Sequence, residues 1–344
     1  MNKHLLMGTG LASTALVLAM FSGCSGGGSS TSAATETTEL TELTSSKAET
    51  LAVNAAEALP GCSYVSDTVV TSASPAFTLI YQSAIKEVLD DSEASVSTKL
   101  ATVRLTTINE STPGTCPTDP GYYTKIGTHD DGVDDVVYTF VNYCLGDDIE
   151  SVTLNGVADV KNVGEPSDLG PIPQYVELST GSEGLQAIEK SAEGTYTHVA
   201  KLDDFVYTYG NGDDNATSDK PSTMTADLLS VTDGRSGEVF SVSNVDISTY
   251  YADTTETADV VVNLVNVTYS DPEVGAVNVR TSTPIVVNDA DIILSGVIEV
   301  TGSNDAVLTM SPSSTVQNSF DVMFDGSPLG LMDCSGLATG DILP

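Results

Sequence analysis

Tryptophan is absent from this 344-residue chain, histidine occurs three times, and 12 basic residues stand against 48 acidic ones. Each shortage excludes something. A formal net charge of −36 argues against nucleic acid or anionic headgroups as partners, because every phosphate contact would be made against a repulsive field. Beyond the N-terminal segment only His129 and His198 remain, so acid–base chemistry built on imidazole has few candidates, and His198, inside TYTHVAKL, reads as an ordinary strand residue. Without tryptophan a sugar-stacking surface would have to rely on the 13 tyrosines. No H-E-x-x-H, Walker A or G-x-G-x-x-G sequence occurs, and the G-x-S-x-G match at Gly23–Gly27 lies in a segment with no strand-to-helix character. No C-x-x-C pair supplies zinc spacing. These absences lead to the expectation of a noncatalytic protein. A hydrolase using two carboxylates would leave no spacing signature and stays as an alternative.

Long apolar runs are missing except at the start. Residues Leu5–Phe21 form one, after Lys3 and His4, but Gly8, Thr9, Gly10, Ser13 and Thr14 interrupt it, which makes an export signal and a poor membrane span. The run ends in FSGC, which resembles the lipobox of bacterial lipoproteins, with Cys24 as the lipidated residue and residues 1–23 as the signal peptide. Phe21 departs from the aliphatic residue usual at its position. Ser25 rather than Asp follows the cysteine, so the resemblance implies attachment to the outer membrane through acyl chains such as palmitate. Residues 24–50 are Cys24 followed by SGGGSSTSAATETTEL and onward, too poor in large apolar side chains to order, and read as a flexible tether.

What is present is mostly strand pattern. From about residue 135 to 325, runs such as VVYTFVNY, VFSVSNVDI, VVVNLVNVTY and IILSGVIEV alternate apolar and polar residues between Gly, Asn, Asp and Ser. The expected fold is all-β, a mainly antiparallel meander or sandwich, with one or two short N-terminal helices; the alternative is a curved open sheet under a helical lid. ELTELTSSKAETLAVNAAEAL suggests one helix, SPAFTLIYQSAIKEVLDD a second with Ser74 as cap and Pro75 at its first position, and SEGLQAIEKSAEG at 182–194 a third. A partly helical segment is expected over 51–115 and the β domain over 116–344. LNGVADV at 154–160 and LSGVIEV at 294–300 share L-x-G-V-x-[DE]-V, which suggests a duplicated unit inside that domain.

Two loops carry clustered side-chain oxygens. Asp130, Asp131, Asp134 and Asp135 surround Gly132, as in a calcium loop, although Gly127, His129 and Tyr138 fall where further ligands belong. The other reading is a solvated turn. Asn211, Asp213, Asn215 and Asp219 make a similar set. Calcium is thus the one cofactor suggested.

After Cys24, an even four cysteines remain: Cys62, Cys116, Cys144 and Cys334, which in an exported chain suggests two disulfides with three connectivities. Cys116-Pro, Gly121, the Asp131-Gly132 turn, VVYTFVNYC ending at Cys144, and Leu154-Asn155-Gly156 together resemble a pattern in uncharacterised proteobacterial envelope lipoproteins. That resemblance covers about 41 residues and implies fold and location, with no established activity. The pattern suits a disulfide between Cys116 and Cys144, leaving Cys62 to pair with Cys334. The functional expectation is a structural or adhesive outer-membrane lipoprotein whose partner is the membrane, through its lipid, or another envelope protein. A carrier of a lipid or other hydrophobic ligand is the alternative.

Overall fold

The computed structural model describes residues 39–57, 106–130, 133–147, 151–165, 172–190, 197–210, 221–232, 234, 236–252, 259–272, 274–288, 293–315 and 319–333. These residues are mostly antiparallel strand, with a single short helix near the N-terminus, and they fall in two compact units. The first unit carries β1 (Thr106–Pro113), β2 (Tyr122–Asp130), β3 (Val133–Gly146), β4 (Ser151–Glu165), β5 (Ile172–Ser179), β6 (Leu185–Lys190), β7 (Thr197–Asp203), β8 (Val206–Gly210) and β9 (Ser222–Thr232). The second carries α1 (Ser45–Glu57), β10 (Val239–Tyr251), β11 (Val260–Leu264), β12 (Val267–Asp271), β13 (Gly275–Val287), β14 (Ile293–Thr301), β15 (Val307–Pro312), β16 (Ser319–Phe324) and β17 (Ser327–Asp333).

The pairing in the first unit reduces to a simple up-and-down meander. Strand β3 runs along one edge of β4, so β5 and β6 share the other edge end to end, β5 beside Asp159–Glu165 and β6 beside Ser151–Gly156. In turn β8 pairs with β5, β7 pairs with β6, and β9 pairs with both. Asp203↔Leu228 and Val206↔Thr225 keep one register, so β7 and β8 are a single strand interrupted at Asp204–Phe205. With β1, β2 and β3 this gives seven strand positions. One buried row crosses all of them: Ile108, Gly127, Val136, Val160, Leu178, Tyr207 and Met224 are successive cross-strand partners. The apolar members are at most 2% exposed, and burying each such side chain is worth about 1.5–3 kcal/mol.

The second unit repeats the plan. Strands β11 and β12 pair with β10 in one register, Leu264 with Ile247 and Thr268 with Ser243, and so form one strand interrupted after Leu264. From there β13, β14, β15, β16 and β17 follow in chain order, again seven positions. Val267, Val279, Val300 and Leu308 make its central buried row. The L-x-G-V-x-[DE]-V sequences fall at the fourth position of each meander, on β4 and β14.

Their glycines have a common role. Gly156 has φ +119° and Gly296 φ +131°, values that side chains rarely tolerate, and each sits where register slips against the preceding strand. At Gly156 a Cβ would also strike the carbonyl of Gly184 at the start of β6, so the glycine lets the neighbouring strand close. The bends coincide with the strand interruptions. Thr180 completes one of them: its hydroxyl accepts from Phe205 N at 3.1 Å and donates to Leu202 O at 3.3 Å. Thr281 does the same in the second unit, accepting from Leu264 N at 3.0 Å and lying 2.9 Å from Asn263 Oδ1.

Several expectations change. Residues 185–190 are strand β6 rather than part of a helix over 182–194; Leu185 and Ala187 are buried with Gln186 between them, a period of two that the surrounding Glu and Lys disguised. Among the described residues strand structure is already present at Thr106, ahead of the 116 expected, because β1 has Ile108 as its one buried apolar residue and carries almost no pattern. The tether expected over 24–50 ends earlier, since Thr41 onward is docked and Ser45–Glu57 is helical. The helix expected from Ser74, and the loop from Asn211 to Asp219, lie outside the described residues.

Gly156→Ala is expected to lower unfolding free energy by at least about 2 kcal/mol, combining a forbidden φ with a collision. Gly181→Ala, at φ +57° with nothing within 4 Å of its Cβ, should lower it by only about 1–2 kcal/mol. Urea denaturation of the two variants checks the contrast.

Candidate functional site

The first candidate is where the chain's N-terminal side enters the second unit. Thr41 N donates to Ala276 O at 2.7 Å, Ala276 N donates to Thr41 Oγ1 at 3.0 Å, and Ser303 N donates to Thr41 O at 2.9 Å. Two residues on, Leu43 N donates to Asn304 Oδ1 and Asn304 Nδ2 donates to Leu43 O, both at 3.0 Å. The segment is therefore clasped between the turns that precede β13 and follow β14. Gly275 and Gly302 make the room: a Cβ on Gly275 would overlap Thr41 Oγ1, and one on Gly302 would lie 2.8 Å from Leu43 N. Thr44 then caps the helix, its carbonyl accepting from Ala48 N at 2.8 Å and its hydroxyl from Lys47 N at 3.4 Å. Leu43, Ala48, Leu51 and Ala52 are fully buried, and α1 packs on β15, β16 and β17. Thr44 as a cap was within reach of sequence reasoning; Thr41, Gly275, Gly302 and Asn304 were not, because the contacts join residues 235 and 261 positions apart.

The second candidate is the stapled end of the β1–β2–β3 sheet. Cys116 and Cys144 form a disulfide with a Cα–Cα distance of 5.5 Å. Their pairing is as the sequence suggested, though its setting differs. Cys116 lies in the β1–β2 connection, beyond the last β2–β3 pair, Tyr122↔Val141, and hydrogen bonds hold that connection on β3: Thr115 N to Cys144 O and Cys144 N to Pro120 O, both 2.8 Å. Beside the staple, Tyr123 meets three rings, those of Tyr138, Phe140 and Tyr143, at centroid distances of 5.9, 5.7 and 5.1 Å. Lys125, 3% exposed, holds its Nζ 5.7 Å from the centre of the Tyr138 ring, where the ring's negative face attracts a cation. A buried lysine among tyrosines had no sequence signal, because Y-Y-T-K alternates like any other strand.

The acids of the Asp-Gly turn belong to the same hairpin. Asp130 ends β2 opposite Val133, Asp134 pairs with His129 and Asp135 with Thr128, so they are rungs of a ladder; Asp131 and Gly132 lie outside the described residues. Among the described residues no three His, Cys, Asp or Glu come together in a way that could hold a metal ion. Cys24, Cys62 and Cys334 also lie outside the described residues. His198 is a strand residue of β7, opposite Glu189. Burial, and then the charge of Asp135, raise the Asp159 carboxyl above the usual aspartate range. Asp203 is raised as well, by burial first; Lys201 opposes the shift, while Asp204 and Asp227 add to it.

No protein-family model, curated protein or solved structure matches this chain.

Three outcomes follow from this geometry. Replacing both Cys116 and Cys144 with serine is expected to cost about 3.5 kcal/mol of stability, the chain-entropy value for a loop of this size, measured by urea unfolding. Tyr123→Ala should cost about 3–5 kcal/mol, against less than about 0.5 kcal/mol for its exposed neighbour Tyr122→Ala. Asp159 binds its proton more tightly folded than unfolded, so ionising it opposes folding above its folded pKa and the handicap vanishes below the unfolded value. Asp159→Asn should therefore raise the Tm at pH 7 slightly and leave no gain at about pH 3, where the wild-type group is protonated in both states.

Proposed function

We propose that this protein is a noncatalytic lipoprotein of the bacterial cell envelope, held on the outer membrane by lipid on Cys24 and serving a structural or adhesive role. The observation that supports this reading best is the clasp at Thr41–Leu43. A lipid anchor holds a folded body through the covalent chain, and docking the entering segment shortens the free length between the two. Here hydrogen bonds grip the entering segment from two turns, and a capped helix then fixes it on the sheet. Fourteen residues of sequence separate Cys24 from Glu39, the first described residue. The Cys116–Cys144 disulfide suits an oxidising compartment outside the cytoplasm. The membrane is the partner, through lipid rather than through headgroup charge, and the acidic surface keeps nucleic acid away.

Growth with labelled palmitate tests the reading. The wild-type chain should take up label and remain with outer membranes through a high-salt wash, and Cys24→Ser should lose both. A Cys24→Ser chain that kept either would overturn it. A second outcome concerns the clasp: trypsin should cut slowly at Lys47 in the wild type and at least tenfold faster in Gly302→Leu, whose side chain displaces Thr41 and Leu43.

A further inference from the structure

The clasped segment is held on the second unit by little. Thr41–Glu57 buries four side chains fully, Leu43, Ala48, Leu51 and Ala52, and two of these are alanines with little apolar surface to contribute. Five hydrogen bonds make the clasp, and Ser303 and Asn304, which supply three of them, are exposed, so water takes over those groups once they part. Nor does the helix stand by itself. α1 has 13 residues, near the length at which isolated helices are marginal in water. It has no acidic residue in its first turn and no basic one in its last, and Lys47 and Glu57 lie at the ends where the helix dipole opposes them. Docking and helix formation therefore stand or fall together: without the seat on β15, β16 and β17 the helix melts, and without the helix Leu51 and Ala52 no longer face that seat.

We infer that this segment is a latch: Thr41–Glu57 releases and redocks as one unit while both meanders stay folded. Segments that bury little apolar surface open at a lower free energy than the whole molecule. What release changes is length. With Cys24 as the anchor, the reading proposed above on which this part of the inference rests, the free chain spans 17 residues while the latch is closed, from 24 to 41. When the latch is open it spans at least 33, from 24 to 57. The open state is the longer one, so tension between body and membrane favours it, and slack lets the segment return.

Native-state thiol labelling of the full-length chain tests the latch, with each labelled residue identified by peptide mapping because the chain has five cysteines of its own. Ala48→Cys and Ala52→Cys place thiols under the helix, and Val279→Cys and Ala200→Cys place them in the second and first meanders, all four sites being fully buried. The two helix thiols should react at equal rates, at least about tenfold faster than either meander thiol. Gly302→Leu, which crowds Thr41 and Leu43, should speed both by about a further tenfold and leave the meander thiols unchanged. Helix thiols that react no faster than Val279→Cys would mean that the segment opens only when the protein unfolds. Ala52→Cys reacting far ahead of Ala48→Cys would mean that the helix merely frays from Glu57. Either result, or a Gly302→Leu chain with unchanged rates, overturns the inference. The same rates are read in a Cys24→Ser chain, so failure of the latch and failure of the lipid anchor are told apart.

Discussion

A strand that breaks in the middle of a sheet leaves main-chain N–H and C=O groups without ladder partners, and burying such a group unpaired costs about 1–3 kcal/mol. The fold of this protein depends on meeting that demand twice, with a threonine hydroxyl each time. Thr180, itself buried, bridges Leu202 O and Phe205 N across the β7–β8 interruption, and Thr281 takes Leu264 N where β11 gives way to β12. Because the breaks are satisfied, register passes through them, and the buried rows on either side remain one row. Gly156 and Gly296 lie on the same bends, taking backbone angles that let β4 and β14 follow.

Much of the fold was legible in the sequence. Alternating Val, Ile and Tyr marked the strands, and the repeated L-x-G-V-x-[DE]-V marked the fourth position of both meanders. It fell short where a strand carries its pattern in one or two residues, as β1 does with Ile108, or where flanking charges imitate a helix, as around β6. That β5 and β6 share one edge of β4 end to end, and that β7 and β8 are halves of a single strand, was not legible, because it depends on pairing with partners dozens of residues away. The disulfide was suggested by its pattern, but the route of Cys116 through the β1–β2 connection depends on hydrogen bonds that no spacing encodes. The clasp was the least visible feature. Thr and Glu around Leu40 and Leu43 look like linker composition, and only the notch left by Gly275 and Gly302 makes them structural.

The two ends of the architecture are fastened by different means. At Cys116–Cys144 a covalent bond, a group of rings and a buried lysine hold a connection onto a strand. At Thr41–Leu43 the hold is a set of hydrogen bonds and a helix face, with no covalent tie among the described residues. The first restrains residues 28 positions apart; the second restrains residues more than 230 apart.

That span sets an order of events. The clasp's binding place is built from Gly275 to Asn304, and α1 rests on strands that end at Asp333, so the segment at 41–57 is made well before its seat. While the intervening residues are synthesised, the strands that will bury Leu43 and Leu51 do not yet exist. The N-terminal side must wait in the open, its apolar residues few and its threonines and glutamates keeping it soluble, until the last strands arrive. The composition that makes this stretch look like a linker is what makes that wait safe.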